Sequence, residues 1–314
     1  MIEDSKSDYV GRITFVLCLL AAIILLININ AVGSAVRAAL ALCASSIVPS
    51  LFPFMILSDI MINRSDMVYM ARKLGIPFSA VFGISPMGVC AFVLGLICGF
   101  PVGGKICASL YESGALTKEE CERLLPYVNN TSPAFVIGSV GATMLGRVKI
   151  GVILFLIQTL SAVLIGFFER GTNHGIIYIK ETDKDSKSCK SSFVDSVKRG
   201  AENTVYLCAF IIIFSLICRI CNLFIKNTVI ISLIASFLEI GTASQIITQN
   251  TILPLSIKLP LLSFALSFSG MSVFFQTCVF TAPLKIRMRR YLVCKLVSGI
   301  ISAFIVFLCA KTMF

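Results

Sequence analysis

The sequence predicts an all-α, polytopic membrane protein made of two weakly similar, inverted repeats with discontinuous, re-entrant helices. Three observations predict it. Only 14% of the 314 residues are charged and 57% are hydrophobic. A soluble domain carries about 25% charged residues, so this chain lacks the polar surface to cover itself with water. The apolar residues fall in long continuous runs, as in membrane helices, rather than the short alternating segments of a β-barrel. Finally, each half of the chain holds two apolar runs that are interrupted by glycine, proline or small polar residues at corresponding places.

Taken in order, the first apolar run, Ile13 to Ile29, is about the length of one span and shows no small-residue cleavage pattern, so it reads as a transmembrane helix. A second helix is expected from Ala35 to Ile62, with Pro49 and Pro53 inside it, and Arg64, Arg72 and Lys73 mark a loop. The chain is apolar again from Ile84 to Cys98, breaks at "GFPVGGK" (Gly99 to Lys105), and resumes to Tyr111. Thr117 with Glu120 three residues on has the spacing of a capping box, which opens a helix that stops at "VNNTSP" (Val128 to Pro133). Ala134 to Leu145 is apolar, Ile150 to Phe168 is a span, and Glu169 to Asn203 is the most polar stretch, read as a loop between two halves. Thereafter come a span near Thr204 to Ile220, the stretches "TVIISLIASFLEIGTASQII" and "KLPLLSFALSFSGMSVFFQTCVF", a basic patch (Lys285, Arg287, Arg289, Arg290) and a final span, Leu292 to Ala310. The domain organisation that follows is an N-terminal transmembrane helix (1–33), a first repeat (34–169), a polar, cytoplasmic loop (170–200), and a second repeat with the C-terminal helix (201–314).

Composition also excludes functions. The net charge of +11 sits in short loops between apolar runs, which is the topological bias of cytoplasmic loops rather than a nucleic-acid surface. Most of the 13 cysteines lie inside apolar runs, where a thiol behaves as a small hydrophobe. Cys218 and Cys221 form a lone C-x-x-C far from the single histidine, His174, so neither a metal nor another cofactor is expected. No H-E-x-x-H, nucleotide loop or Ser/His pair points to an enzyme.

The halves align at an offset of 138, which lays "GFPVG" over "FLEIG" (Phe237 to Gly241) and "NNTSPAFVIG" over "SFSGMSVFFQ" (Ser267 to Gln276). If the three basic regions share the cytoplasmic side, each break-containing region crosses the membrane an odd number of times. One broken segment per half is then re-entrant, and the halves are inverted, as in many secondary transporters. Broken backbone inside a bilayer is tolerated only where protein buries it or where it lines a wet cavity. The two breaks of each half are therefore expected to meet in one binding site. Gly99, Pro101, Gly103, Gly104 and Lys105 supply half-helix N-termini and a positive charge that favour anions. Asn129, Asn130, Thr131 and Ser132 supply hydrogen bonds opposite them, and Ser269, Gly270, Ser272 and Gln276 do so in the second half. Glu239, in an otherwise apolar stretch, is read as a coupling group or as an ion-pair partner of Lys105. Asp59, near a helix end, is a lesser candidate. The "GSVG" at Gly138 to Gly141 reads as close helix packing by small residues.

"CGFPVGGKICASL", "KEECERLLPYVNNTSPAFVIGSVG" and "SFSGMSV" resemble the sporulation integral membrane protein YlbJ family, within the wider group of nucleoside-recognition Gate domains, over about Ala35 to Phe280. Ser269 stands where that family is expected to have glycine. The resemblance implies a role in endospore formation, moving dipicolinic acid, a small aromatic dianion, across the outer forespore membrane. Its wider group implies a nucleoside as the alternative substrate, and a non-transporting scaffold with sporulation membrane partners, or a homo-oligomer, is a further expectation.

Overall fold

The computed structural model describes residues 2–62, 69–75, 78–79, 82–170 and 193–313. Arg64, His174 and the central lysines Lys180, Lys184, Lys187 and Lys190 lie outside the described residues. Every long element among those described is a helix: α1 (Ile2–Ile27), α2 (Ile29–Leu42), α3 (Val48–Ile62), α4 (Pro86–Cys98), α5 (Val102–Glu112), α6 (Lys118–Val128), α7 (Ala134–Met144), α8 (Val148–Phe168), α9 (Phe193–Phe224), α10 (Thr228–Leu238), α11 (Ile240–Gln249), α12 (Leu255–Phe268), α13 (Gly270–Thr281) and α14 (Arg289–Met313). α7 is wound with wide π-type turns, and a short π turn, Cys43–Ile47, joins α2 to α3 into one long rod.

Among the described residues, five stretches are long and apolar enough to cross a membrane: Ile29–Met61, Val148–Phe168, Phe193–Phe224, Leu255–Thr281 and Arg289–Cys309. Their outer faces carry exposed Leu156, Leu160, Ile213, Ile300, Phe304 and Phe307, as lipid-facing helices do. α1, with its apolar stretch Gly11–Ile27, turns at Asn28 into α2 and leaves Phe15, Leu17, Leu19 and Leu20 exposed. The protein is a multi-pass integral membrane protein.

Side-chain pairings give each helix its direction. The end of the bundle that holds the turn 282–288 with Lys285 and Arg287 is here called the basic end. From there α14 runs antiparallel to α8: Arg290 pairs with Glu169 at the basic end, and Ser298 meets Ser161 at 2.8 Å further along. α12 is also antiparallel to α14, since Ser263 bonds to Ser302 while Phe264 and Phe268 close on Gly299. α6 runs with α14, because Glu122 accepts from the Arg287 N–H at 2.9 Å and Asn129 meets Lys295.

The remaining helices follow from these. α4 climbs beside α6 from the basic end, with the Ser85 N–H on Glu120 at its start and Gly99 against Ser132 at its tip. α5 then descends, with the Gly104 N–H on Asn129 near the tip and Cys107 O accepting from Cys121 lower down. Hence α4–α5 is a re-entrant hairpin that enters and leaves at the basic end, and α6–α7 is a broken span. In the second half α10 packs on α12 through Phe237, Phe264 and Phe268, with its tip at Gly270. α11 returns to where α12 begins, since Lys258 bonds to the Thr248 carbonyl at 3.2 Å. So α10–α11 is a re-entrant hairpin from the opposite end, and α12–α13 is a broken span running the other way.

Three sequence readings shift. The break positions repeat at 140 rather than 138 residues: the helix caps Gly99 and Glu239 correspond, as do Asn129 and Ser269. Matching residue types at the breaks put the alignment two residues out of the register that the helix ends obey. The polar stretch read as a loop to Asn203 is already helical from Phe193, because Ser196 and Gly200 give it a small face to lay on α3 while Asp195, Lys198 and Glu202 stay exposed. The second helix begins at Ile29 rather than Ala35, since Asn28 is turn enough to separate it from α1. Thr117 does cap α6 by accepting from the Glu120 N–H, but the Glu120 carboxylate turns away to Ser85 rather than back to Thr117. Gly141 packs directly on the Gly151 backbone, so part of the small-residue run makes a close helix contact, while Gly138 faces open space.

Candidate functional site

The two hairpin tips meet the two broken spans at mid-height, and each meeting turns on a glycine. At Gly99 (φ +79°) an added Cβ would lie 2.6 Å from the Ser132 Cβ; at Gly270 (φ +79°) it would lie 3.0 Å from the Leu238 carbonyl oxygen. Both positions need the left-handed conformation and the absence of a side chain. Beside Gly270, Ser269 takes φ +73° as well, held by its hydroxyl donating to the Leu266 carbonyl at 3.3 Å. Thus Gly99 with Asn129–Ser132, and Glu239 with Ser269–Gly270, form two facing junctions.

Around them the backbone freed by the breaks is met by side chains, as burial requires. Asn129, fully buried, accepts from the Gly104 N–H at 3.2 Å and donates to Thr277 Oγ1 at 2.8 Å and to the Tyr291 hydroxyl at 2.9 Å. It thereby ties the first hairpin to α13 and α14. Asn130 donates to the Tyr127 carbonyl, and Ser132 accepts from the Phe135 N–H to cap α7. Thr131 donates across to the Leu266 carbonyl at 2.7 Å, and its own carbonyl accepts from Gln158 Nε2 at 2.9 Å. Gln276 folds onto Ser272 at 2.9 Å. Three buried atoms in this zone find no partner among the described residues: Gln158 Oε1, Ser267 Oγ and Gln276 Oε1. Unsatisfied polar atoms at mid-height mark where a polar ligand or water is wanted.

The charged candidates part company. Lys105 does not reach Glu239. Its ammonium lies 2.7 Å from Asp59 Oδ1 on α3, and Arg199 of α9 holds the other oxygen at 2.6 Å. Lys105 stands about one turn below the hairpin tip, on the face of α5 turned toward α3. Glu239 is instead an N-cap: its carboxylate accepts from the Gly241 and Thr242 N–H groups at 2.9 and 2.5 Å, so the dipole of α11 is met by the chain's own anion. The ion-pair reading of these two residues is therefore corrected to an Asp59–Lys105–Arg199 cluster and a separate helix cap. Gly103 and Gly104 serve the close approach of α5 to Val128 and to Thr277 respectively, and Pro101 sits at the N-cap of α5.

One cation was not singled out from the sequence. Lys295, on α14 and 1% exposed, donates to the Asn129 carbonyl at 3.0 Å and to Asn130 Oδ1 at 3.3 Å. No carboxylate pairs with it among the described residues. The available signal was a lysine one turn inside a span, close behind Arg289 and Arg290, where it reads as part of the basic patch. Gln158 and Thr277 were likewise hidden inside apolar runs, and Tyr291 lay unremarked between the basic patch and the last span.

Compared with known proteins, the chain is 23% identical over 306 residues to the sporulation integral membrane protein YlbJ of Bacillus subtilis (strain 168), covering 85% of this chain and 74% of that one. The chain is thus similar to a YlbJ membrane protein along most of its length. No protein-family model and no solved structure matches it. The likeness to YlbJ supports a sporulation membrane protein, in agreement with the multi-pass architecture.

Proposed function

We propose that the chain is a secondary carrier of the Gate type rather than an enzyme, moving a small anion, dipicolinic acid, across the outer forespore membrane during endospore formation. The observation that carries this reading is the pair of re-entrant hairpins that enter from opposite ends and abut two oppositely directed broken spans at mid-height. A scaffold does not need two buried junctions of broken backbone, whereas alternating access needs a site that each repeat can expose to one side in turn. The anion preference is supported by Lys295, whose side-chain nitrogen stands at the first junction with no carboxylate paired to it among the described residues; Lys105, committed to Asp59, does not supply it.

A nucleoside is the second reading. The partnerless Gln158 and Gln276 carbonyl oxygens and the Ser267 hydroxyl suit the donors and acceptors of a neutral polar ligand. Uptake of labelled dipicolinic acid into proteoliposomes, with uridine run alongside, decides between them. Dipicolinate uptake is the expected result. Uridine uptake alone keeps the carrier and replaces its substrate. Uptake of neither by folded protein removes the carrier reading in favour of a scaffold with membrane partners.

A further inference from the structure

Helix α6 ends inside the bundle, and three carbonyl groups of its last turn have partners close by. Leu125 O accepts from the Asn129 N–H, Val128 O from the Asn130 N–H and Tyr127 O from the Asn130 side chain. Asn129 O accepts from the Lys295 ammonium, which also takes Asn130 Oδ1. A half-helix C-terminus carries the negative end of the helix dipole. Unwound carbonyls at such ends are where broken-helix carriers coordinate a sodium ion or proton. Here that place, a backbone carbonyl and an amide oxygen at mid-height, holds an ammonium group.

Hydrogen bonding alone does not ask for a charge there. At the corresponding end of α12 the Leu266 carbonyl is met by the neutral hydroxyls of Thr131 and Ser269. A buried cation without a carboxylate is costly, and α14 projects one from a buried position to this spot. Electrostatics of the helix end and of an anionic ligand both favour a positive charge at the first junction.

We propose that the Lys295 ammonium occupies the alkali-cation position of the first junction, so that the protein carries its own counter-ion there and works without sodium. The sodium-independence half rests on the carrier reading above; the occupancy half does not. Three arms test it, all on the full chain. In proteoliposomes, dipicolinate uptake by the wild type is expected to stay within about twofold when sodium chloride is replaced by potassium or choline chloride, since no alkali ion fills the site. Lys295→Gln, which keeps a neutral donor, is expected to lose uptake by about tenfold or more at normal membrane levels, because the charge and not the hydrogen bond is used. In detergent, Lys295→Ala is expected to melt about 5 °C lower, and sodium or methylammonium, but not choline, is expected to restore part of the loss.

A wild type that needs sodium, or a Lys295→Gln variant with normal uptake, overturns the proposal. Where Lys295→Ala does not fold, the first two arms decide. Where the wild type takes up neither dipicolinate nor uridine, the carrier reading falls, and melting of Lys295→Ala that is insensitive to sodium and methylammonium overturns the occupancy as well.

Discussion

Asp59 is the residue on which the charges of the basic half turn. It receives Lys105 from the first hairpin on one carboxylate oxygen and Arg199 from α9 on the other. Removing one partner of a buried pair leaves an uncompensated charge and costs more than the pair contributes, about 3–5 kcal/mol when fully buried. Arg199 is 42% exposed, so water screens part of that cost on its side. Asp59→Asn strands two cations against each other, whereas Lys105→Met leaves the Asp59–Arg199 pair intact. We therefore expect Asp59→Asn to lower the melting midpoint in detergent by about 5 °C or more, and Lys105→Met by about half as much. Equal losses in the two variants refute the shared-carboxylate account. Asp59 and Lys105 were both visible in the sequence as charges in apolar surroundings. Their pairing was not, because a separation of 46 positions hides which face of the hairpin looks toward α3. Lys295 was hidden for the opposite reason: a lysine next to a basic patch looks ordinary until α14 is seen to carry it inward.

At the level of elements, each hairpin owes its tip to a residue that allows backbone to lie against backbone. Gly99 combines a positive φ with a neighbour at 2.6 Å from its missing Cβ, and that neighbour is the Cβ of Ser132 in the facing break. Alanine there adds left-handed strain and an overlap that only backbone movement relieves, about 3 kcal/mol together. Gly138, one helix further on, has nothing within 4 Å, so Gly138→Ala is expected to be neutral or slightly stabilising. Fluorescence-detected size exclusion separates the two: Gly99→Ala is expected to lose most of its monodisperse peak while Gly138→Ala keeps it. A well-behaved Gly99→Ala would mean the hairpin tip does not press on the broken span. The breaks themselves were legible because glycine, proline and runs of Asn, Thr and Ser are what interrupted helices require. Which interruption turns back and which continues was not legible, since a hairpin and a kinked span share the same apolar flanks. That difference lies in long-range contacts such as Lys258 with Thr248 and Cys107 with Cys121.

For the molecule as a whole, the pairings fix an orientation that composition alone only suggested. Glu169 at the end of α8, Arg199 near the start of α9, and the Lys285–Arg290 patch all lie toward one end, which also holds the mouth of the first hairpin. α14 leaves that end at Arg289 and runs past Ser298 and Ser302 toward the other. Lys and Arg next to spans are retained on the cytoplasmic face, so the basic end is expected to be cytoplasmic and the second hairpin to open to the opposite side. A reporter inserted between α8 and α9 is then expected to be active only in its cytoplasmic form, and one fused after Phe314 only in its external form. Both reporters on the same side would require α14 to stop short of crossing, which contradicts its antiparallel run past Ser161 of α8 and Ser263 of α12. Both reversed would keep the inverted pair of hairpins and turn the molecule over, leaving the basic patch against the charge bias. Only the expected pair of results lets the first hairpin gate the cytoplasm and the second gate the far side, the arrangement in which one mid-height site serves both.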